Sequence, residues 1–495
     1  MKIRLNFVSV FCLMAFFTYT NAFSRLTENR KTVFYVTENV NIQKQLSKSD
    51  AIYIIECDID LNGQIVQIPE SSELKFYSKT LSNGTIRLNN HSKLVGNGVM
   101  FAAHPHQQMI FAEGVEDIEI SGVTFNSVGN KHSSYESSGV FMTNCDYIKI
   151  HDCKFFGDSI GLSGFVGLAM LKACHVDIYN NTFKYFYKPD FWKSNQRNTA
   201  WATYLVSLKN AKIFLNTFYK TYSGIKLTGY IENVAIYSNE TYDNITDGCD
   251  FAGISAKNVV IENNKFENSG DCGIEFKILF HDQWHSNEMK KYYGYDLNTP
   301  RSFQGITIRN NMISSWVGVK IWNQYNKSEA LSKNFRYLGY NKRSGNIVIL
   351  NNNLSKTKDG SGNPNSSVGI QVAYNATNQG DFKICDNKIE GYKFGLYFVN
   401  SSYINVENNF ISSLTYGIYE RFEDNNDLMQ TWNHHITIDG NKFKNKNSKT
   451  FLLSNRTKVW TIKNNKIYAS KQANIIEDHG YSNIFHNNSI ISNER

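Results

Sequence analysis

The chain has 495 residues, with 52 Lys plus Arg against 44 Asp plus Glu for a formal net charge of +8, 14% aromatic residues and only 5 prolines. So mild a charge, with no basic run, argues against nucleic acid as a partner, and no segment beyond the first two dozen residues is apolar enough to span a bilayer. A mildly basic, aromatic-rich chain suits a polyanionic partner of another kind.

In chain order, Lys2 and Arg4 come first, then an apolar stretch from Phe7 to Phe17, then Thr20-Asn21-Ala22 before Phe23. That is the order of a secretory signal, so residues 1–22 are expected to be removed and the protein exported, secreted or periplasmic. No cysteine follows the cleavage point, so no lipid anchor is expected there. Loss of Lys2 and Arg4 takes the formal charge from +8 to +6. A monomer is expected.

Residues 23–114 are strand-rich ("AIYIIECDIDL", "IVQIPESSELKFYS", "GTIRLNN") and read as irregular first coils and an N-terminal cap that hides the open end of a core. From about residue 115 to 495 one phrase recurs: "IEISGVTF", "IKIHDCKF", "VDIYNNTF", "AKIFLNTF", "VVIENNKF", "ITIRNNMI", "IVILNNNL", "INVENNFI", "ITIDGNKF", "WTIKNNKI". Each copy is a period-2 strand followed by an asparagine-rich turn, returning about every 20 to 25 residues. Strands so short cannot bury their apolar side chains alone. Stacked on the turn before, they close a ladder whose inward Ile, Val and Phe form one continuous core. The fold class is therefore all-β: a parallel β-helix of about 12 or 13 coils. Asparagine at the turn tolerates left-handed backbone and can bond to its counterpart one rung away. The cysteines after Cys12 show no metal-type pairing and read as small buried hydrophobes more readily than as disulfides.

A second phrase, "GVFM" at Gly139, "GLAM" at Gly167, "GIKL" at Gly224, "GCDF" at Gly248, "GIEF" at Gly273, "GVKI" at Gly318, "GIQV" at Gly369, "GLYF" at Gly395 and "GIYE" at Gly417, supplies a register. Its second and fourth letters point inward and its third outward. Stacking gives an outward column of Phe141, Ala169, Lys226, Asp250, Glu275, Lys320, Gln371, Tyr397 and Tyr419. The coil around Tyr204 has no clear place in it. Two residues further along each strand stand Thr228, Ala252, Lys277 and Trp322. Asp250 and Glu275 thus become rung neighbours about 4.8 Å apart, flanked by Lys226 and Lys320. Two carboxylates that close repel unless a cation or a shared proton sits with them. A solvated ion-pair ladder would be the bland explanation. The convergence of Lys277, Trp322, Asp247 and Asp271 on the same patch favours a functional site.

Departures from the repeat at about 187–201, 278–304, 323–345 and 421–434 carry Trp192, Trp201, His281, Trp284, Arg301, Tyr325 and Arg336 among others. Aromatic faces with cationic heads would wall a groove for sugar rings that bear acidic groups. Gluing long loops to the side of the helix explains part of them equally well.

The repeat and its Asn-rich turns resemble the right-handed parallel β-helix superfamily of pectate lyases, related polysaccharide lyases, polygalacturonase-type hydrolases and alginate epimerases. Locally, Asn244-Ile245-Thr246-Asp247 and Gly270-Asp271-Cys272-Gly273 resemble the Asn-Thr-Asp and Gly-Asp-Asp-Cys elements of polygalacturonases. Cys272 replaces the second aspartate of that pair, and the downstream His-Gly and Arg-x-Lys elements are missing, which counts against that mechanism. The resemblance to the lyase branch implies cleavage of an acidic, uronic-acid-containing polysaccharide (glycosaminoglycan, pectin or alginate type) by β-elimination. It implies Ca²⁺ held by acids of neighbouring coils, here Asp247, Asp250, Asp271 and Glu275, and a Lys base. Lys277 and Lys320 are then the candidate bases, with pKa values lowered by a neighbouring cation and partial burial. Asp250 and Glu275 complete the catalytic set, and Lys226, Trp322, His281 and Arg301 are the substrate-binding candidates. Two alternatives stay open: a β-helix glycoside hydrolase using an Asp/Glu pair, and a non-catalytic glycan-binding or surface protein.

Overall fold

The computed structural model describes residues 31–101, 108–127, 137–157, 165–186, 201–278, 302–323, 345–357, 366–373, 382–399, 401–421, 433–445, 449–454, 457–469 and 475–492. The expected signal segment, 1–22, lies outside them, as do most of the long departures from the repeat. Among the described residues no helix is long and apolar enough to cross a membrane, and Ile42–Gln45 forms the one short α-helix.

The chain winds as a parallel β-helix. The "IxIxNN" strands stack into a 17-stranded sheet that runs from Thr32–Val36 to Ile484–His486, every pairing parallel. The strands Ala51–Ile55, Glu73–Phe76 and Lys93–Gly96 belong to this same stack, so residues before 115 continue the regular helix. The short strands after each asparagine turn and the glycine-led strands form the other two faces. They join into one 29-stranded sheet because strands such as Lys265–Ile278 run through both.

Alternation decides what fills the interior. Ile118, Ile120, Ile148, Ile150, Val176 and Ile178 are fully buried, while the residues between them face out. In-register stacking lays like on like. Phe125, Phe155, Phe183 and Phe218 form an inner column with ring centroids 4.7, 4.6 and 4.9 Å apart. Of the described cysteines, Cys145, Cys153, Cys249 and Cys272 are buried, and Cys57, Cys174 and Cys385 are half-buried.

The two asparagines of each turn divide the work expected of one. The first adopts the left-handed conformation: Asn180, Asn263, Asn310, Asn351, Asn408, Asn464 and Asn487 have φ between 52° and 57°. The second turns inward and builds a ladder from Asn181 to Asn488. Asn264 is typical. Its Nδ2 donates to Asn311 Oδ1 of the next rung (3.0 Å) and to the carbonyls of Ile236 (2.9 Å) and Glu262 (3.0 Å), while its Oδ1 accepts from Asn239 N–H and Nδ2. The amide side chains thereby satisfy the backbone groups that the turn would otherwise bury without partners.

The glycine at the head of each outer strand marks a corner. A Cβ on Gly248 would lie 2.7 Å from the Gly273 carbonyl oxygen and 2.6 Å from the Phe266 ring, and one on Gly273 would lie 2.8 Å from the Gly318 oxygen. Rung-to-rung approach at this corner leaves no room for a side chain.

The ladder predicts a contrast. Asn264→Ala strands the Asn239 amide and the Ile236 carbonyl in the interior and is expected to lower stability by about 3 kcal/mol. Asn263→Gly, one residue earlier and exposed at φ 56°, is expected to change it by under about 1 kcal/mol. Urea unfolding of the two variants separates these outcomes.

Candidate functional site

Four strands carry the charged residues: Ile225–Thr228, Cys249–Gly253, Lys265–Ile278 and Met312–Asn323. Parallel pairing sets Lys226 beside Asp250, Asp250 beside Glu275, and Glu275 beside Lys320. The neighbouring column pairs Ala252 with Lys277 and Lys277 with Trp322. The inward letters, Ile225, Leu227, Phe251, Ile274, Phe276, Val319 and Ile321, are all buried at 1% exposure or less. Tyr204, which had no place from sequence, pairs with Ala169, and the pairing of Leu205 with Leu227 sets its rung directly before Lys226. His281 and Arg301 lie outside the described residues.

The ladder is not solvated. Asp250 is 4% exposed and Glu275 2%, and the lysine side chains are mostly covered too. Lys226 Nζ pairs with Asp250 Oδ2. Glu275 is held at both oxygens, Oε1 2.7 Å from Lys320 Nζ and Oε2 2.5 Å from Lys277 Nζ. Lys277 Nζ also stands 3.8 Å from Asp250 Oδ1, an oxygen that is buried with no hydrogen-bond partner. Lys320 Nζ lies 4.3 Å over the Trp322 ring centroid.

The corner at the glycine brings in a further column. The residue just before the glycine swings to the outer side, which places Asp247 and Cys272 against Glu275, with ligand atoms of the three within 4.8 Å of one another. Asp247 is 4% exposed and accepts the Cys272 amide N–H at 3.0 Å. The Cys272 thiol, fully buried, lies 3.6 Å from Asp271 Oδ1.

Charge and burial set the protonation states. Burial pushes the Asp247 carboxyl well above the usual range, and Asp250, Glu275 and Asp271 push it further. Burial also raises Asp271, although Lys320 pulls the other way. Burial alone would raise Glu275 as well, but Lys277 and Lys320 outweigh it and hold the group at about 2. For the lysines the structure reverses the lowered pKa anticipated from sequence. Burial does lower Lys277, yet Asp250, Glu275 and Asp247 overcome it and raise it well above the ordinary value. Lys320 is raised in the same way, by Glu275, Cys272 and Asp271 against burial. Four carboxyl groups around the two ammoniums decide the matter: both lysines carry their protons and are poor bases at rest.

The donor set does not fit Ca²⁺. That ion takes six to eight oxygen ligands. Here one corner of the tight Asp247–Cys272–Glu275 group is a thiol, and both Glu275 oxygens and Asp250 Oδ2 already face ammoniums.

Sequence reading missed Tyr222, whose phenol is pushed up by burial and then by Asp247 and Asp250. A positional signal existed. Tyr222, Thr246 and Asp271 each stand two residues before the repeat's glycine and bond rung to rung through their backbones, Thr246 N–H to Tyr222 O and Asp271 N–H to Thr246 O, both at 2.9 Å.

Residues 108–277 match the family described as "Right handed beta helix region", and the chain has the right-handed parallel β-helix fold. That match ends within the charged column, at Lys277. No curated protein matches the chain. Among solved structures, it is similar to the Azotobacter vinelandii mannuronan C-5 epimerase AlgE6 A-module, with 9% identity, coverage of 93% of this chain and 97% of that one, and a TM-score of 0.44. A double mutant of the tailspike protein of E. coli bacteriophage HK620, in complex with pentasaccharide, gives 8% identity, 95% and 75% coverage and a TM-score of 0.40. A mutant of the periplasmic alginate epimerase AlgG gives 11% identity, 86% and 78% coverage and a TM-score of 0.38. At such identities the likeness concerns fold.

Glu275 predicts a stability effect with a defined pH window. Its folded pKa, about 2, lies below the ordinary 4.5. Its contribution is therefore full above pH 4.5 and is lost as pH falls towards 2. Glu275→Gln leaves two buried ammoniums short of a counter-charge, and is expected to cost about 3 kcal/mol at pH 7. The gap between wild type and variant, followed by urea unfolding, should narrow over the acid window, and Lys320→Met in the Glu275→Gln background should recover part of the loss.

Proposed function

We propose that the protein is an exported lyase that cleaves an acidic, uronic-acid-containing polysaccharide by β-elimination, acting as a monomer. The observation that carries this reading is the convergence of three ammoniums, Lys226, Lys277 and Lys320, with the carboxyl groups Asp250, Glu275, Asp247 and Asp271 on one outer face of the helix.

β-Elimination requires the C6 carboxylate to be neutralised, the C5 proton removed and the leaving oxygen protonated. In this reading Lys277 and Lys320 neutralise the substrate carboxylate as negative charge builds on it, a role that suits lysines whose protons are firmly held. Asp250, with its unpartnered Oδ1, takes the C5 proton. The electron pair forms the C4–C5 double bond, the C4–O bond breaks, and the leaving oxygen takes the proton of Asp271, the half-buried carboxyl with a raised pKa. Glu275 holds both lysines in place. Lys226 and Trp322 bind the chain, and His281 and Arg301 remain candidates to contact it. No step passes through a metal.

One observation favours a hydrolase as the second reading. Asp247 and Asp271 are raised carboxyls beside ionised ones, the pairing from which a glycosidase draws its acid and its base.

The deciding experiment incubates purified protein with alginate, polygalacturonate and glycosaminoglycans and follows unsaturated uronic ends and reducing ends together. The lyase predicts that both rise in step, undiminished by a chelator. Reducing ends alone would replace it with the hydrolase, and no cleavage of any polymer would leave a binding protein. Lys277→Met and Lys320→Met are each expected to lower kcat about a hundredfold. Lys277→Arg should retain part of the activity, since a guanidinium still neutralises a carboxylate, and complete loss would restore the lysine to the role of base. Activity should fall on the alkaline side as Asp271 loses its proton, and Asp271→Asn should remove that limb of the profile.

A further inference from the structure

Beyond Lys320 the two outward columns continue, and their chemistry changes. The column of Asp250, Glu275 and Lys320 passes through Gln371 to Tyr397 and Tyr419. The column of Asp247 and Cys272 passes through Val317 and Val368 to Phe394 and Tyr416. Four rings thus meet on the outer face. Phe394 lies 4.6 Å from Tyr419, 5.8 Å from Tyr397 and 6.0 Å from Tyr416, and Tyr397 and Tyr419 are 5.2 Å apart.

The core does not need these rings. The inward positions of the same strands are filled by Leu396, Phe398, Ile418 and Glu420, all buried. Phe394 and Tyr397 pack instead with a separate outer cluster of Cys272, Trp316, Val317 and Val368. That cluster is a continuous apolar floor leading from the thiol beside Asp271 to the four aromatic side chains, each of which is half-exposed. Lys393 Nζ lies 5.0 Å over the Phe394 ring, which adds positive charge along the same edge.

We propose that the Phe394, Tyr397, Tyr416 and Tyr419 rings form a second set of sugar-binding subsites, on which the same acidic polysaccharide chain that reaches the charged rungs lies lengthwise along the helix axis. From Lys226 to Tyr419 the face spans six rung steps, about 29 Å, enough for several sugar units. The occupant is a linear acidic polysaccharide for two reasons: the apolar faces of sugar rings match aromatic platforms, and the floor is continuous with a patch whose ammoniums match carboxylates. The inference rests on the proposed action on acidic polysaccharide.

The test is stopped-flow protein fluorescence, read before turnover, with sized oligomers of alginate, polygalacturonate and hyaluronan. For wild type, affinity should rise with oligomer length until the chain covers both parts of the face. In Tyr397→Ala and Tyr419→Ala that rise should be lost, with affinity for the longest oligomers down roughly tenfold. If Tyr397→Ala fails to fold, Phe394→Leu carries the same test with its apolar contact retained. Wild-type length dependence in the folded variants overturns the aromatic subsites and leaves the proposed function standing. Absence of binding by wild type at any length overturns both.

Discussion

Parallel hydrogen bonds hold each rung of the helix about 4.8 Å from the next, and the pairing keeps register through the charged residues, shifting only before them, between Phe266 and Cys272, in one strand pair. Every side chain therefore has its neighbours chosen for it by the repeat. Where the stacked residues are phenylalanines or asparagines, the constraint is favourable without further help. The rings overlap face on face, and the amides pass hydrogen bonds from Asn181 to Asn488. Where they are Asp250 and Glu275, the same spacing forces like charges together under 4% and 2% exposure. The structure answers with lysines on the rungs either side and in the adjacent column. Burying such a network is costly compared with burying apolar residues of the same size. Its presence on the outer face, where the fold does not require it, is the physical reason to treat it as functional.

The corner at each glycine shapes this site as much as the register does. Because the chain turns there, the residue before the glycine and the third residue of the strand look into the same angle. Asp247 and Cys272 thereby join Asp250 and Glu275, and further along Phe394 and Tyr416 join Tyr397 and Tyr419. The outer face is thus charged in its middle and aromatic towards the C-terminal rungs. The carboxyl pKa values in the charged part are pushed apart: burial raises Asp247 and Asp271, while Lys277 and Lys320 outweigh burial and hold Glu275 low. That separation of acids from ionised groups within one patch is what proton-transfer chemistry requires.

Much of this was legible in the residues. The period-2 phrases with paired asparagines defined the helix, and the third letter of "GIKL", "GCDF", "GIEF" and "GVKI" placed Lys226, Asp250, Glu275 and Lys320 on one face. Four features were not. Alternation within a strand cannot reveal a corner, so the position of Cys272 beside Glu275 was invisible, and the Tyr204 rung, which lacks the leading glycine, could not be aligned. The two asparagines of a turn look alike in sequence, although one serves the backbone angle and the other the ladder. The lysine pKa direction turned on a balance that residue types alone do not weigh: burial lowers Lys277 and Lys320, as anticipated, but the acidic groups packed around them outweigh it.

The most direct test of the central claim, that this outer face takes a uronate chain by its carboxylates, is an experimental structure of the protein with an acidic oligosaccharide bound. The account predicts the chain running along the helix axis over the rungs of Asp250, Glu275 and Lys320, with a sugar carboxylate within hydrogen-bond reach of Lys277 or Lys320. An oligosaccharide seated on the 17-stranded face, or lying across the helix away from these lysines, would contradict it.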